Sequence, residues 1–265
     1  MNISNSAPYN PAYSADFGHA PASTETTSAA HVTRTKRGVA DTQKLWPQNG
    51  TLTIAFMDTT PSKQQFIKKY IKDTYSPLIN LTLKFVEGTE ADIRISMSKT
   101  LNGNWSMVGT DAKKIPADQP TMHFDFNSTK DSAKRNIIHE FGHALGLLHE
   151  HQHPDRSFEF NIAKTYRIYK KHAQWSQTET YENILKKLKP ADITHSHYDQ
   201  KSIMHYGLSK DVLWKHEDIN ISFKPSDEDR AFWKSLYPPK IVEKAPQPTE
   251  NEILFQNFLK FGFHH

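Results

Sequence analysis

The chain has 265 residues, of which 36% are hydrophobic, and a formal net charge of +4 at pH 7. It has no run of eighteen apolar residues, which excludes a membrane-spanning helix, and its basic residues are dispersed, so we expect no nucleic-acid partner. It also has no cysteine, which excludes disulfides and any zinc site built on thiolates. A bound metal would therefore depend on histidines and carboxylates.

The first part of the chain, residues 1–37, is predicted to be a flexible leader. Residues 1–33 contain no Lys or Arg and no apolar segment of the kind that a secretory signal needs, so we expect no export by the Sec route. Their Ser, Thr, Ala and Pro residues cannot bury enough apolar surface to fold alone. The basic residues within 34–37 are compatible with a processing site or with a solvated cluster of charges in a linker.

The patterns that follow predict one folded domain over residues 38–239, with strands and helices in alternation. Strands are predicted by β-branched or alternating runs at residues 51–57, 81–86, 92–97 and 121–126. Helices are predicted from Pro61, over residues 131–145, 161–172 and 179–188, and after Ser226, where the start signals are a capping residue with Pro or acids behind it. Residues 103–109 are predicted to be a loop anchored by an aromatic side chain. The tail, residues 240–265, is predicted to carry a short amphipathic stretch.

Residues 139–149, with the sequence HEFGHALGLLH, carry the chemistry. His139 and His143 are four residues apart, so on one helix both imidazoles point from the same face, as two neighbouring zinc ligands do. Glu140 then lies beside the metal without binding it, where a general base would act. A left-handed residue at Gly146 would end the helix and turn the chain back, which brings His149 to the metal as third ligand.

This segment resembles the metzincin pattern H-E-x-x-H-x-x-G-x-x-H, and Glu150 directly after the third histidine makes it similar to the astacin family. Leu147 stands where the family usually has Phe. A second segment, S-I-M-H-Y-G at residues 202–207, resembles the astacin Met-turn. The resemblance implies that Met204 forms an apolar floor under the zinc ligands. It also implies that Tyr206 is a mobile fifth neighbour of the metal that stabilises the oxyanion.

For the whole domain the resemblance implies an α+β metzincin fold. An N-terminal twisted mixed β-sheet with two long helices would form one lobe to about residue 149. A smaller, mostly helical or irregular C-terminal lobe (residues 150–239) would lie across an active-site cleft. An edge strand formed by Asp92, Ile93, Arg94, Ile95 and Ser96 would bind substrate as an additional antiparallel strand.

The implied activity is hydrolysis of peptide bonds in protein or peptide substrates by Glu140-assisted attack of a zinc-bound water, with one zinc per chain. The eukaryotic members contain disulfides, so their absence implies a bacterial branch, and we expect a monomer. Without a Sec signal, we expect the protein to reside in the bacterial cytoplasm before delivery outside the cell, or into a host cell, by another route.

Zymogen control by the family's Phe-x-Gly-Asp motif is not expected, because the nearest string here is D-F-G-H at residues 16–19. In the family, the glutamate equivalent to Glu150 meets the trimmed N-terminus. If this chain is not cut before Gly38, Glu150 needs another partner.

Three other functions were weighed. Tyr206 and Glu150 favour an astacin-like enzyme over a matrixin-like one. A binding module that uses the fold for host-protein interaction without turnover would be expected to have lost Glu140 or a ligand, and none is lost. Hydrolysis of peptidoglycan peptides uses the same zinc chemistry and stays open.

The remaining histidines are expected to be structural or surface residues. His151 and His153 follow the motif at alternating spacing, and we expect exposed loop histidines there in preference to a second metal site. The same holds for His195, His197 and His205.

Overall fold

The structure is a computed structural model, and it describes residues 38–126 and 129–239. The predicted leader with its basic residues (1–37) and the predicted tail with its amphipathic stretch (240–265) lie outside the described residues. Within the described part, no helix is long and apolar enough to cross a lipid bilayer.

Seven strands and five α-helices alternate along the described chain. They are β1 (Val39–Ala40), β2 (Thr51–Phe56), α1 (Pro61–Tyr75), β3 (Thr82–Phe85), β4 (Ile93–Ser96), β5 (Trp105–Ser106), β6 (Met122–His123), α2 (Lys130–Ala144), α3 (Ile162–Ala173), α4 (Gln177–Thr180), β7 (Thr194–His195) and α5 (Asp227–Leu236). Short 3₁₀ turns lie between them, and a π-helical turn, Tyr181–Leu185, directly follows α4. The predicted helix over residues 179–188 is therefore a short α-helix continued by this π-turn, and it ends three residues early.

Five of the strands form one mixed sheet in the order β3-β2-β4-β6-β5. The first four are parallel to one another, and β5 runs antiparallel to β6. The other two strands, β1 and β7, form a separate antiparallel ribbon. The mixed sheet and the long helices α1 and α2 confirm the predicted α+β fold.

The prediction that residues 92–97 form the edge strand is wrong. They form β4, which is the third of five strands and pairs with β2 on one side and β6 on the other. All four of its residues are buried, and the guanidinium of Arg94 donates to backbone carbonyls of the surrounding loops, including that of Gln119 at 2.7 Å. A strand with both sides paired has no backbone groups left for a substrate.

The free edge on this side of the sheet belongs to a segment that was expected to be a loop. Trp105 and Ser106 form β5, which within the described ranges has β6 as its only neighbour in the sheet and packs against α2. A two-residue strand carries no detectable alternation, so the sequence pattern could not distinguish it from a loop.

One large apolar core lies between the sheet and the helices α1 and α2. From α1 it takes Ile67, Ile71 and Tyr75, whereas Phe66 and Tyr70 on the same helix are only partly buried. A smaller second core is built from residues between Phe158 and Ile219.

The last helix, α5, does not join the second core that precedes it in the chain. Phe232, Trp233, Leu236 and Tyr237 pack in the first core, and the ring of Trp233 stacks on that of Tyr75 at 4.6 Å. The predicted division of the domain at residue 149 therefore does not describe how α5 packs, because this helix returns to the N-terminal lobe.

Buried aromatic donors hold the second half of α2. The last carbonyls of an α-helix have no partner inside the helix. Here the indole N–H of Trp46 donates to the carbonyl of Ala144 at 2.6 Å, and the hydroxyl of Tyr237 donates to that of Leu145 at 2.8 Å. The end of α2 is thus fixed by side chains from both ends of the described chain.

Candidate metal centre

Helix α2 begins at a sequence-encoded cap and ends at a glycine. The hydroxyl of Thr129 accepts from the backbone N–H of Ser132, as an N-cap side chain does. At the other end Gly146 has φ +95°, a left-handed conformation, and a Cβ built there would lie 2.8 Å from Leu45 Cδ2. The amide of Leu147 donates to the carbonyl of Gly142 at 3.0 Å, which closes a Schellman-type turn. The predicted role of Gly146 as the turn that ends the helix agrees with this geometry.

The turn brings His149 back to His139 and His143. Each of the three residues has a ligand nitrogen within 4.8 Å of the others, and the Nε2 atoms of His143 and His149 are 3.0 Å apart. His139 and His143 are buried, and His149 is partly exposed. The structure therefore brings together the three histidines that the sequence predicted as ligands.

The tautomers of two of these imidazoles suit a metal. The Nδ1 atom of His139 lies 2.9 Å from the carbonyl of Ile203, and that of His143 lies 2.8 Å from the carbonyl of Leu147. A carbonyl only accepts, so each Nδ1 carries the proton and each Nε2 keeps a lone pair. Two such lone pairs and a third imidazole facing one point form a donor set that fits zinc.

Desolvation keeps the three imidazoles neutral. It is the main cause that lowers the pKa of His139 and His149 well below the usual histidine range, and it lowers the pKa of His143 to about 4. A metal ion therefore need not displace a proton from these nitrogens at neutral pH.

Glu140 is buried beside the three histidines. Burial raises the pKa of its carboxyl group to about 8, and the positive charge of Arg135 opposes that shift. Arg135 lies on the same helix, four residues before His139, and its guanidinium donates to the carbonyl of His205 at 3.4 Å. A buried carboxyl group with a raised pKa in a polar cluster has the properties of a general base or acid.

Met204 lies beneath α2 in contact with a glycine. It is buried, and a Cβ added at Gly142 would lie 2.7 Å from its sulfur atom. Its carbonyl accepts from the amide of Glu150 at 3.1 Å. The Met-turn is therefore packed against α2, and the lack of a side chain at Gly142 makes this contact possible.

The aspartate that caps α5 also holds the Met-turn. Asp229 accepts from the amide of Ser226 in a capping box, and it also accepts from the hydroxyl of Ser202 at 2.6 Å and the amide of Ile203 at 2.8 Å. The carbonyl of the same Ile203 lies 2.9 Å from Nδ1 of His139. Asp229 is therefore connected to His139 through the peptide backbone of one residue. Burial raises the pKa of Asp229 to about 6, although these hydrogen bonds lower it.

Tyr206 lies next to the histidine cluster, as predicted. Its partly buried ring is 4.2 Å from the ring of His149 and 6.2 Å from that of His139, centroid to centroid. Its contribution to the oxyanion stays a prediction.

Glu150 forms a hydrogen bond with a backbone amide inside the domain and not with a chain terminus. Its side chain is buried, and one carboxylate oxygen accepts from the backbone N–H of Asp199 at 2.8 Å. Burial raises the pKa of this carboxyl group well above its ordinary value, and the hydrogen bond from Asp199 opposes the shift.

The expectation that His151 and His153 are exposed is wrong, because both rings are fully buried. His153, Asp155 and His195 each offer a ligand atom within 4.8 Å of the others. However, Nδ1 of His153 already accepts from the backbone N–H of Asp155 at 3.0 Å, so the proton of a neutral ring is on Nε2. An ion there would have to break that hydrogen bond, and the second metal site therefore has weak support.

Two residues near the site were not singled out from the sequence. Arg135 could have been found, because it is four residues before His139 and so lies on the same helical face. The second role of Asp229 could not, since its link to residues 202 and 203 exists only in the folded chain. The capping signal at Ser226 predicted the helix alone.

Comparisons with known proteins agree with this geometry. The family model described as Astacin (Peptidase family M12A) matches residues 38–219. A solved structure of myroilysin is 30% identical, with a TM-score of 0.72, and the match covers 77% of this chain and all of that one. A crystal structure of myroilysin, also 30% identical, covers 74% of this chain and 86% of that one at a TM-score of 0.56.

High choriolytic enzyme 1, a hatching-enzyme zinc protease from the medaka fish Oryzias latipes, is 19% identical over 75% of this chain and 96% of that one, with a TM-score of 0.50. At that identity the likeness concerns the fold alone. No functionally curated protein matches the sequence significantly.

The raised pKa of Asp229 predicts a specific dependence of stability on pH. Because the folded state binds this proton more tightly than the unfolded state, the contribution of Asp229 to the free energy of unfolding decreases as pH rises from about 4 to about 6. Replacing the carboxyl with an amide (Asp229→Asn) removes this titration. We expect the wild type to lose up to about 3 kcal/mol relative to Asp229→Asn across that window, with a constant difference above about pH 7.

Urea denaturation of both proteins at a series of pH values measures this difference. Asp227→Asn is the matched control, since Asp227 is exposed in the first turn of the same helix. A difference between wild type and Asp229→Asn that does not change with pH would contradict the assignment.

Proposed function

This chain belongs to the astacin family, peptidase family M12A, and is a zinc metalloendopeptidase; on that basis we propose that His139, His143 and His149 hold one zinc ion and that Glu140 is the general base. The observation that carries the proposal is the convergence of three neutral imidazoles beside one buried carboxyl group. We further propose that the catalytic domain comprises residues 38–239 and acts as a monomer.

The protein contributes positioning to the metal-assisted reaction. When bound, zinc supplies a Lewis acid that polarises the peptide carbonyl and makes water more acidic. The carbonyls of Ile203 and Leu147 fix the orientation of His139 and His143 through their Nδ1 protons. The buried sulfur of Met204 keeps water from the underside of the ligands.

Glu140 is proposed to transfer a proton from the attacking water to the leaving amide nitrogen. Its carboxylate accepts a proton from the attacking water while the water oxygen bonds to the carbonyl carbon. The same proton then passes from Glu140 to the amide nitrogen as the C–N bond breaks, and the second proton of the water moves from the new carboxyl group to the released amine, which gives a carboxylate and an ammonium group. Burial favours this exchange, because it brings the affinity of the carboxyl group for the proton close to that needed at neutral pH.

Tyr206 is proposed to stabilise the developing oxyanion. Its ring lies 4.2 Å from that of His149, so Tyr206 borders the space beside the proposed ligands where the substrate carbonyl would lie. A hydrogen-bond donor aimed at charge that develops in the transition state contributes mainly to kcat.

We propose that β5, and not β4, binds the substrate as an additional strand. Trp105 pairs with His123, and the amide of Met107 donates to the carbonyl of Thr121. In an antiparallel ladder the residue between two hydrogen-bonded pairs, here Ser106, directs its backbone N–H and C=O to the other side. Among the residues that the structure describes, this side of β5 has no strand neighbour, and β5 packs against α2.

The substrate class follows from the family as proteins or peptides. Hydrolysis of peptidoglycan peptides would use the same groups, and a binding module without turnover would not need an intact Glu140. The experiment on Glu140 therefore also includes a peptidoglycan stem peptide as a substrate.

Glu140→Gln should leave zinc bound and abolish hydrolysis. The amide keeps the size of the side chain but cannot accept the proton, so we expect kcat to fall by at least about a thousandfold. Zinc content by atomic absorption and hydrolysis of unfolded casein, with and without 1,10-phenanthroline, provide the measurement. Full activity in the variant would refute the assigned base, and wild-type activity on the stem peptide alone would move the enzyme to the peptidoglycan class.

Tyr206→Phe should reduce kcat and leave KM nearly unchanged. The ring is kept and only the hydroxyl is lost, so we expect a decrease of about 10²-fold, smaller than that of Glu140→Gln. Steady-state kinetics on one fluorogenic peptide at saturating zinc measure both constants. An unchanged kcat would argue against the role of Tyr206.

N-methylation of successive amides in a peptide substrate should reveal the strand pairing with β5. A backbone methyl group removes one donor and blocks one side of a strand, so losses in kcat/KM should alternate with a period of two residues. We expect about tenfold losses at the facing positions and small ones between them. A uniform loss along the peptide would be inconsistent with a bound β-strand.

A further inference from the structure

The π-turn Tyr181–Leu185 faces the segment that follows the third metal ligand. Three of its carbonyls accept from side chains of that segment: Glu182 from Gln152 at 2.7 Å, Asn183 from His151 at 3.0 Å, and Leu185 from Arg156 at 2.9 Å. A wide π-turn leaves carbonyls available for such partners, and these turns often lie at functional sites. The π-turn thus binds the segment directly after His149 through three hydrogen bonds.

His151 is the residue whose ring this contact fixes. The carbonyl of Asn183 can only accept, so Nε2 of His151 carries the proton and donates it. Its own backbone carbonyl accepts from the guanidinium of Arg156 at 3.0 Å. The side chain is fully buried, and its ring plane is therefore set by a hydrogen bond at one end and by the backbone at the other.

The face of this fixed ring is covered by Tyr206. The two rings are stacked, with centroids 4.5 Å apart and planes 17° from parallel. Tyr206 also contacts His149, at 4.2 Å and a tilt of 53°. The ring of His139 is 29° from parallel to that of Tyr206 but 6.2 Å away, so the contact with His151 is the close face-to-face one.

The backbone of Tyr206 is held by a different histidine. Nδ1 of His205 lies 2.6 Å from the carbonyl of Tyr206, and its Nε2 lies 2.8 Å from the hydroxyl of Tyr198. The main chain at residue 206 is therefore secured without His151. Loss of the His151 ring would remove this face-to-face contact of the phenol ring while leaving the backbone of Tyr206 in place.

We propose that His151 is a positioning residue for Tyr206: its buried ring, locked by the π-turn, is the support against which the tyrosine ring lies when its hydroxyl faces the oxyanion. This inference rests on the proposed function, and in particular on the role of Tyr206. Groups that stabilise a transition state must be held within about 0.5 Å of the productive geometry, and a stacked partner restricts the ring without using its hydroxyl.

The test uses His151→Gln, because the amide of Gln keeps a donor for the carbonyl of Asn183 but removes the aromatic face. We expect kcat to decrease about tenfold, less than with Tyr206→Phe, while KM and zinc content change by less than about twofold. In the Tyr206→Phe background the same substitution should lower kcat by less than about twofold, because the hydroxyl that His151 positions is already gone.

The matched control is His153→Gln. His153 is also fully buried and lies two residues further along, but its ring contacts His195 and Tyr198 and not Tyr206. We expect it to lower thermal stability without a selective loss of kcat. An equal decrease of kcat with His153→Gln would assign the effect of His151→Gln to general destabilisation and overturn the proposal.

A second measurement does not depend on turnover. In the metal-free protein labelled with 3-fluorotyrosine, the ¹⁹F resonance of Tyr206, assigned by its loss in Tyr206→Phe, should shift and broaden on His151→Gln, because the ring current and the steric restriction of the imidazole are removed. It should be unchanged by His153→Gln. An unchanged resonance in His151→Gln would overturn the proposal.

The outcomes separate this inference from the function on which it rests. If His151→Gln lowers kcat by the same factor in the wild type and in Tyr206→Phe, the positioning role alone is overturned. An unchanged kcat in Tyr206→Phe would overturn it together with the role of Tyr206, and activity in Glu140→Gln would refute the general base alone.

If His151→Gln does not fold, His151→Phe keeps the aromatic face and should retain the wild-type sensitivity of kcat to Tyr206→Phe. Loss of that sensitivity would overturn the proposal.

Discussion

The turn at the end of α2 places all three imidazoles around one point, and the other parts of the site are arranged about it. Gly146 can take φ +95° and leaves room for Leu45, so the chain reverses within a few residues of His143. Two backbone hydrogen bonds to the start of the described chain then anchor the reversed segment: the amide of Asp41 donates to the carbonyl of Gly146, and the amide of Leu148 donates to the carbonyl of Val39. A residue with a Cβ at this position would be strained by its backbone, and the side chain of Leu45 would have to move.

The C-terminal part of the chain supports this centre from the opposite side. Helix α5 packs in the core of the first lobe, and its capping residue Asp229 binds residues 202 and 203 of the Met-turn. Through the carbonyl of Ile203 this contact reaches the imidazole of His139. One buried carboxyl group thus connects the start of α5, the Met-turn and His139, which is consistent with the return of α5 to the first lobe although the second lobe precedes it in the chain.

The site combines polar groups whose burial would be unfavourable if they were charged or unpaired. Desolvation keeps the histidines neutral and raises the pKa of Glu140, while the nearby positive charge of Arg135 opposes the shift of Glu140. The protein tolerates this arrangement because the Nδ1 atoms of His139 and His143 have carbonyl partners. Neutral, oriented imidazoles beside a buried carboxyl group suit the binding of a cation. Binding of a metal there would compensate for the free energy that burial of these polar groups costs.

The sequence by itself predicted the ligand set and the general base that we propose, and it determined the place and the end of α2, because these depend on local rules: the spacing of His139 and His143 on a helix and the glycine at 146. It also determined the α+β class and most of the long elements. Tertiary structure alone decided which strand lies at the edge, since strand order depends on pairing between distant segments and residues 92–97 look alike in the centre or at the margin of a sheet. It likewise decided that His151 and His153 are buried and that Asp229 binds the Met-turn. These properties arise where segments far apart in the chain meet, and a single sequence records the side chains but not their partners.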